Sequence, residues 1–379
     1  MATWFAAAIG GLADLALGPI TPALFTVPLG LVIGLVGTVG LLSFRRNRPL
    51  LGLAVGLVVG AAATPLTDDV SLALLGAIVA LGFRLIGRWW FGGRDMVELL
   101  GERLEREHVP FVAPYSSPAA RIGTDWPART AAELGWAHTH NPRGVGLVTS
   151  LEELRGPRFD PDQVAPTVRH FYEHTSDYSL TITPVWNRRA QLLYWLFKQL
   201  IASRIGQANL PFTQTEAQRG VVSAIDTLTV PADPPHDLRV WTRSYAANGD
   251  ALYVGVYTTY LYQQSGFVSV GFPLPKGNFT ATLRAENGPG GALFLQTRRD
   301  ELGHAGHYLS AVESDGRLTV LKVPALDEEI HVFEEAGSLK TEHRFLVWGQ
   351  VFLSLNYTMA LKSPAAAGEA VGPTARRRA

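Results

Sequence analysis

No cysteine occurs among the 379 residues. That excludes a disulfide framework, a thiolate nucleophile and cysteine-ligated zinc at the outset. Net charge is absent too, with 33 basic residues against 33 acidic ones. No dense basic stripe stands outside the membrane flanks and the C-terminal tail, so nucleic acid is not an expected partner, because phosphate neutralisation needs one. The chain also lacks a glycine-rich phosphate loop and a Gly-x-Ser-x-Gly nucleophile elbow, and no cofactor is expected. Charge itself is scarce: 17% of residues are charged and 47% are hydrophobic, which is apolar for a soluble protein.

The scarcity is local. Leu15 to Phe44 carries no charged side chain and is followed at once by Arg45, Arg46 and Arg48. Pro49 to Leu66 is a second uncharged run, and Val70 to Phe83 opens a third that closes on Arg84, Arg88, Trp89 and Trp90. Uncharged runs near twenty residues match a hydrocarbon core of roughly 30 Å. Transmembrane helices are therefore expected near 22–44, 49–66 and 70–90, the third with snorkelling arginines and an interfacial tryptophan pair. Residues 3–20 contain Asp14 and Pro19 and stay open between a fourth span and an interfacial helix. A signal peptide is not expected, since no basic residue precedes the apolar run.

Arginines between the first two firm spans, against Asp68 and Asp69 between the second and third, place the arginine side in the cytoplasm. The expected localisation is a multi-pass cell-membrane protein with a cytoplasmic C-terminal domain. Glycines at four-residue spacing, Gly30 and Gly34, then Gly52, Gly56 and Gly60, allow close helix packing. Packing within one chain is the first reading of them and a homo-oligomer contact the second.

Beyond the membrane region, Arg94 to Arg106 has Met96, Val97, Leu99, Leu100 and Leu104 at helical spacing, which predicts a short amphipathic helix. From His108 to Pro157 no period is sustained, which predicts an irregular linker over the rest of 94–158. Asp160, Pro161 and Gln163 carry helix-start signals, and the cleaner helix runs from Pro166 to about Thr175. A second helix is expected over Asn187 to Ile205, apolar on most of its surface. From Val221 extended runs alternate with Gly- and Asn-containing turns, predicting an antiparallel meander of eight or nine strands that ends in one long strand from Arg344 to Met359.

The expected fold class is thus α+β: N-terminal transmembrane helices over 1–93, then a domain at 159–362 with an antiparallel β-barrel-like or curved sheet and two or three packing helices. Residues 363–379 read as a disordered tail whose Arg376 to Arg378 can touch anionic headgroups.

The stretches "FYEHT", "GFPLPKGNFTATLRAENGPGG", "EEIHVF" and "FLVWGQVFLSLNYTM" resemble blocks in an uncharacterised family of bacterial membrane-anchored proteins. The resemblance covers roughly Phe159 to Met359 and implies a domain boundary but no activity.

Four groups of polar residues are candidates for chemistry. "HFYEH", His170 to His174, has the spacing of the inverted zinc-protease signature. At 100° per residue, however, His170, Glu173 and His174 oppose a face made of Val164, Val168, Phe171 and Tyr172, and no glutamate lies between Glu216 and Glu286 to serve as third ligand. A zinc-dependent hydrolase on these residues is therefore the third-ranked function, and no metal site or catalytic residue is expected. His138 to His140 and the two histidines of "GHAGH", Gly303 to His307, read first as a solvated loop and a turn.

The richest cluster is Glu328, Glu329, His331, Glu342 and His343, on two strands expected to be adjacent, where cross-strand partners stand about 5 Å apart. If His331 and His343 point inward beside Glu328 or Glu342, they can orient a ligand headgroup; the plainer reading is a solvated edge of paired charges. Trp241, Tyr253, Tyr257, Tyr260, Trp348 and Phe352 line either an apolar pocket or a core. The expected ligand-binding set is Trp241, Tyr257, Glu328, His331, His343 and Trp348. The expected function is membrane-tethered binding of an apolar or amphipathic, lipid-like small molecule, with the bilayer as partner. The alternative is a membrane scaffold or assembly protein acting through its β-domain surface.

Overall fold

The computed structural model describes residues 97–218, 220–232, 235–298 and 302–362. The spans expected at 3–20, 22–44, 49–66 and 70–90, the glycine-spaced stretches and the tail at 363–379 lie outside the described residues. Among the described residues no helix is long and apolar enough to cross a membrane. Val97–Leu100 and Leu321–Ala325 belong to a separate unit; the rest of the described chain forms the β-domain.

The strands of the described residues are β1 Glu98–Leu104, β2 Ala137–Thr139, β3 Tyr178–Trp186, β4 Val221–Val230, β5 His236–Tyr245, β6 Ala251–Tyr262, β7 Ser265–Leu274, β8 Gly277–Asn287, β9 Leu293–Gln296, β10 Gly306–Val312, β11 Leu318–Lys322, β12 Leu326–Glu335, β13 Ser338–Val347 and β14 Gln350–Leu361. They make one 14-stranded sheet whose main path is β2-β4-β5-β6-β7-β8-β9-β12-β13-β14-β3. The sheet forks at β8. Its first half, Gly277 to Thr282, pairs with β10, and its second half, Arg284 to Asn287, pairs with β9.

The helices are few: α1 Trp126–Leu134, α2 Pro166–Glu173, α3 Arg188–Phe197, which continues through a π turn to Ile205, and the short α4 Gln214–Gln218. Trp195 and Phe197 of α3 remain exposed.

Strand side chains alternate, so register assigns every residue a face. Trp241 pairs with Gly255 and Arg243 with Tyr253; across β6 and β7 Tyr257 faces Val270, and Thr341 pairs with Tyr357. One face therefore carries Ile225, Trp241, Arg243, Tyr253, Tyr257, Val268, Val270, Leu283, Leu295, Ile330, His343, Leu355 and Tyr357, and most of these belong to the main hydrophobic core. Arg243 on β5 lies over the ring of Tyr357 on β14, 5.4 Å from its centroid, although six strands separate β5 from β14 along the main path. Only a strongly curled sheet brings these two together, so this face is concave. The main path is open: among the described residues β3 forms no ladder with β2 or β4.

The convex face is covered as well, by residues the sequence suggested were linker. Thr282 donates to the Phe111 carbonyl at 2.6 Å, Asn278 to the Tyr115 carbonyl at 2.7 Å, and Ala113 N–H donates to Thr280 at 3.2 Å. Phe111 packs on Tyr308, and Ile122 and Trp126 bury against Leu238, Val240, Val254 and Val256. Residues 108–157 are no irregular linker: they hold the short elements α1 and β2 and pack on the sheet, Phe111 to Trp126 on its convex face and Leu147, Val148, Leu151 and Leu154 in the main core. Both sheet faces being covered explains why several strands are apolar on each side.

Three further expectations are corrected. The amphipathic helix expected from Arg94 is a strand from Glu98, hydrogen-bonded to β11; Gly101 weakens the helical alternative and an available strand edge wins. The long final strand is two, joined by a turn at Trp348 and Gly349. The meander also holds more strands than the eight or nine expected, and the run before Val221 contributes β3.

The turn Leu151–Leu154 sits directly on β7. A Cβ at Gly266 would collide with the backbone of Leu154. Gly266→Ala is expected to destabilise the domain by about 1–3 kcal/mol through overpacking, read as a lower urea midpoint at unchanged slope.

Candidate functional site

The concave face is mainly apolar and carries buried charge at two places, Arg243 on β5 and a cluster where three strands converge. Glu328 of β12 is buried, and its backbone is held by Thr297, whose N–H donates to the Glu328 carbonyl (3.0 Å) while its hydroxyl accepts from Glu328 N–H (2.8 Å). His343 pairs with Ile330, one diagonal step from Glu328, and its Nε2 stands 2.6 Å from Glu328 Oε1. His307 arrives from β10, across the fork at β8, and its Nε2 stands 3.0 Å from Oε2.

The second nitrogen of His307, Nδ1, lies 3.0 Å from the Leu326 carbonyl. A carbonyl only accepts, so Nδ1 carries a hydrogen, and the Nε2 to Oε2 contact holds one proton shared between imidazole and carboxylate. Burial pushes the Glu328 carboxyl up, but the charge of His343 and the hydrogen bonds from both histidines outweigh it and hold it at about 2. Glu328 is therefore an anion clasped by two imidazoles.

Arg243 lies on the same concave face, about 1% exposed. Nε and both terminal nitrogens lack a well-aligned hydrogen-bond acceptor. The guanidinium packs over Trp241 (5.5 Å) and Tyr357 (5.4 Å), and the phenols of Tyr253 and Tyr357 interact with it as hydrogen-bonding neighbours, though neither meets a well-aligned geometry. Desolvation acts to lower its pKa, yet these phenols turn the balance upward, so Arg243 is a cation. Burial raises the phenols of Tyr253, Tyr257 and Tyr357, which stay neutral. Tyr253 and Tyr357 lie within electrostatic reach of both Arg243 and Glu328. The interior thus holds an anion satisfied by histidines and a cation met by ring faces and two neutral phenols, with no carboxylate beside it.

Of the six residues expected to bind ligand, Trp241, Tyr257, Glu328 and His343 share this concave face. His331 does not. Strand alternation sends it to the opposite face, across from Glu342, where it stacks between Phe294 (4.1 Å) and Phe333 (4.5 Å) and burial lowers its pKa. Its neighbour on that face, Glu329, pairs with Arg298 (3.2 Å) and Arg344 (2.6 Å). Trp348 sits at the β13–β14 turn with φ 47°. Among the further aromatics, Tyr260 is on β6 beside Phe267 (5.2 Å) and Phe352 packs near Phe345 (6.2 Å).

Two members of the site were not singled out by the sequence. His307 was legible only as half of "GHAGH", and nothing in the sequence joins it to Glu328. Arg243 is an arginine inside an aromatic strand, a signal that acquires meaning only once Tyr357 closes over it.

"HFYEH" is structural. Phe171 and Tyr172 are buried as the helical face predicts, but the helix ends at Glu173, and His174 has left it with φ −141° and ψ 42°. The two rings still lie 4.6 Å apart, centroid to centroid, but each is taken up by a protein partner. Glu173 accepts from Leu151 N–H (2.9 Å) and Ser150 (3.2 Å) and pairs with Arg169 (3.1 Å). His170 contacts the Tyr178 hydroxyl (2.9 Å), and His174 the Gly144 carbonyl (2.8 Å). Glu173→Ala is expected to cost about 1–2 kcal/mol as a lost cap, measured by urea unfolding.

The chain is similar to a membrane protein. It is 27% identical over 271 residues to the uncharacterized membrane protein YndJ of Bacillus subtilis (strain 168), an alignment that covers 69% of this chain and 46% of YndJ. The chain therefore spans about half the length of that relative. The match agrees with the resemblance to an uncharacterised group of bacterial membrane proteins. No protein-family model and no solved structure matches this chain.

Proposed function

We propose that this is a membrane-tethered binding protein whose curled sheet takes up an amphipathic molecule with an anionic headgroup. The observation that carries this is Arg243. A guanidinium removed from water with no anionic acceptor costs several kcal/mol, and the ring faces and phenols around it return only about 0.5–2 kcal/mol each. An incoming carboxylate or phosphate would complete its hydrogen bonds, with the apolar tail among Val268, Val270, Leu283 and Leu355. Trp241 and Tyr257 flank that position, and Glu328, held by its histidines, repels a second anion and so fixes which end of the ligand enters. The uncharged runs of residues 1–93 supply the tether, with the arginine flanks on the cytoplasmic side. YndJ, the similar protein, is itself named a membrane protein.

The test is native mass spectrometry of the detergent-solubilised full chain beside Arg243→Met, followed by titration with a dansyl-labelled fatty acid. Wild type is expected to carry a co-purifying acidic amphipath and to bind the probe saturably. Arg243→Met is expected to lose both. Equal occupancy in the two proteins, or none in wild type, would overturn the reading. The alternative from the sequence, a scaffold acting through its β-domain surface, expects no bound molecule.

A further inference from the structure

On the convex side, at the β2 edge of the sheet, a second polar cluster is unrelated to the interior. β2 pairs with β4 through His138 and Leu228 and through Thr139 and Thr227. His138 and His140 are two apart on an extended segment and so share a face. Both turn to Asp226. His138 Nε2 lies 2.8 Å from Oδ2, and His140 Nδ1 lies 2.8 Å from Oδ1. Asn141 locks this arrangement: its left-handed backbone (φ 42°) turns the chain back, its N–H donates to Asp226 Oδ1 (3.1 Å), and its side-chain oxygen accepts from Ile225 N–H (3.1 Å).

We infer that His138, His140 and Asp226 bind one divalent transition-metal ion of borderline softness, of the Zn2+ or Co2+ kind. One atom from each residue lies within 4.8 Å of the others. Around a tetrahedral ion with bonds near 2.1 Å, such atoms stand about 3.4 Å apart, so small side-chain rotations suffice. Two imidazoles and one carboxylate select this class of metal over the all-oxygen ions Mg2+ and Ca2+.

Charge favours the same conclusion. The Asp226 side chain is 3% exposed, and among the described residues no lysine or arginine pairs with it. An ion takes one lone pair from each imidazole in place of these hydrogen bonds, and the single ring hydrogen then sits on the other nitrogen. The His140 side chain, 72% exposed, marks the open side, where water fills the remaining coordination positions.

The test uses the full chain in detergent, its affinity tag cleaved and metal stripped, titrated with Co2+ while visible absorption is followed, then with Zn2+ as competitor. Wild type is expected to bind one equivalent of Co2+ that Zn2+ displaces. His140→Ala, at an exposed position that leaves the fold intact by circular dichroism, is expected to weaken binding at least tenfold, since even outer-shell losses cost about 10–100-fold. Asp226→Asn is expected to weaken it likewise, and His174→Ala, in the other histidine pair, to leave it unchanged. No saturable uptake in wild type, unchanged affinity in His140→Ala, or loss confined to His174→Ala would each overturn the assignment.

Discussion

Glu328→Ala is expected to destabilise the β-domain by about 3–5 kcal/mol, because it removes one partner from a buried charge cluster and leaves the others uncompensated. His307 would keep its bond to the Leu326 carbonyl but lose the acceptor at Nε2, and His343 would lose its 2.6 Å partner. Glu328→Gln separates charge from shape. Its amide oxygen accepts from His343 and its NH2 donates to a neutral His307, so a loss below about 2 kcal/mol is expected, the scale of a single imperfect hydrogen bond.

The pH dependence has a definite sign. Glu328 is held at about 2 in the folded protein, below the ordinary carboxyl value of 4.5. Its stabilisation is fully present above the unfolded value and is lost as pH falls from about 4.5 towards 2, amounting to about 3 kcal/mol. Denaturant midpoints between pH 7 and pH 3 should fall steeply in wild type and markedly less in Glu328→Gln. Parallel curves would show that another group governs acid unfolding.

Arg243→Met is expected to stabilise the ligand-free protein by about 1–4 kcal/mol while abolishing binding of an anionic amphipath. Methionine fills a similar volume among Trp241, Tyr253 and Tyr357 and has no charge to desolvate. Against it stand the lost cation–π contacts with Trp241 and Tyr357, about 0.5–2 kcal/mol each, which is less than the several kcal/mol of a buried unpaired cation. Thermal unfolding of delipidated protein decides: a lower midpoint in Arg243→Met would mean that the guanidinium is satisfied without a ligand. Arg243→Lys keeps the charge but not the fork, and is expected to bind with reduced affinity.

The strands from β5 to β12 were legible because alternation and turn chemistry agree there. "ALYVGVYTTYLY" is β6 from end to end, and Asp160, Pro161 and Gln163 form the expected capped turn ahead of α2. The β13–β14 turn was missed because Trp348 and Gly349 both have positive φ, 47° and 78°. A two-residue turn of that kind is ordinarily marked by Asn-Gly or Asp-Gly, and tryptophan hides it inside an apolar run. The packing of 111–115 was missed because Asn278, Thr280 and Thr282 reach out of β8 to hold it, and no local period records a contact of that range.

The sequence by itself determined the absence of cysteine chemistry, the balance of charge, the change to extended structure near Val221 and the adjacency of the Glu328 and His343 strands, since each is a matter of composition or of near neighbours. Which residues meet was decided by the tertiary structure. A period of two assigns His331 and His343 to faces only after register is set, so a one-residue difference sends one outward to Phe294 and the other inward to Glu328. The fork at β8 brings His307 to the same carboxylate, and the curl of the sheet lays Tyr357 over Arg243. These are long-range closures, and their energies come from burial and charge pairing between segments whose separation along the chain leaves no trace in local pattern.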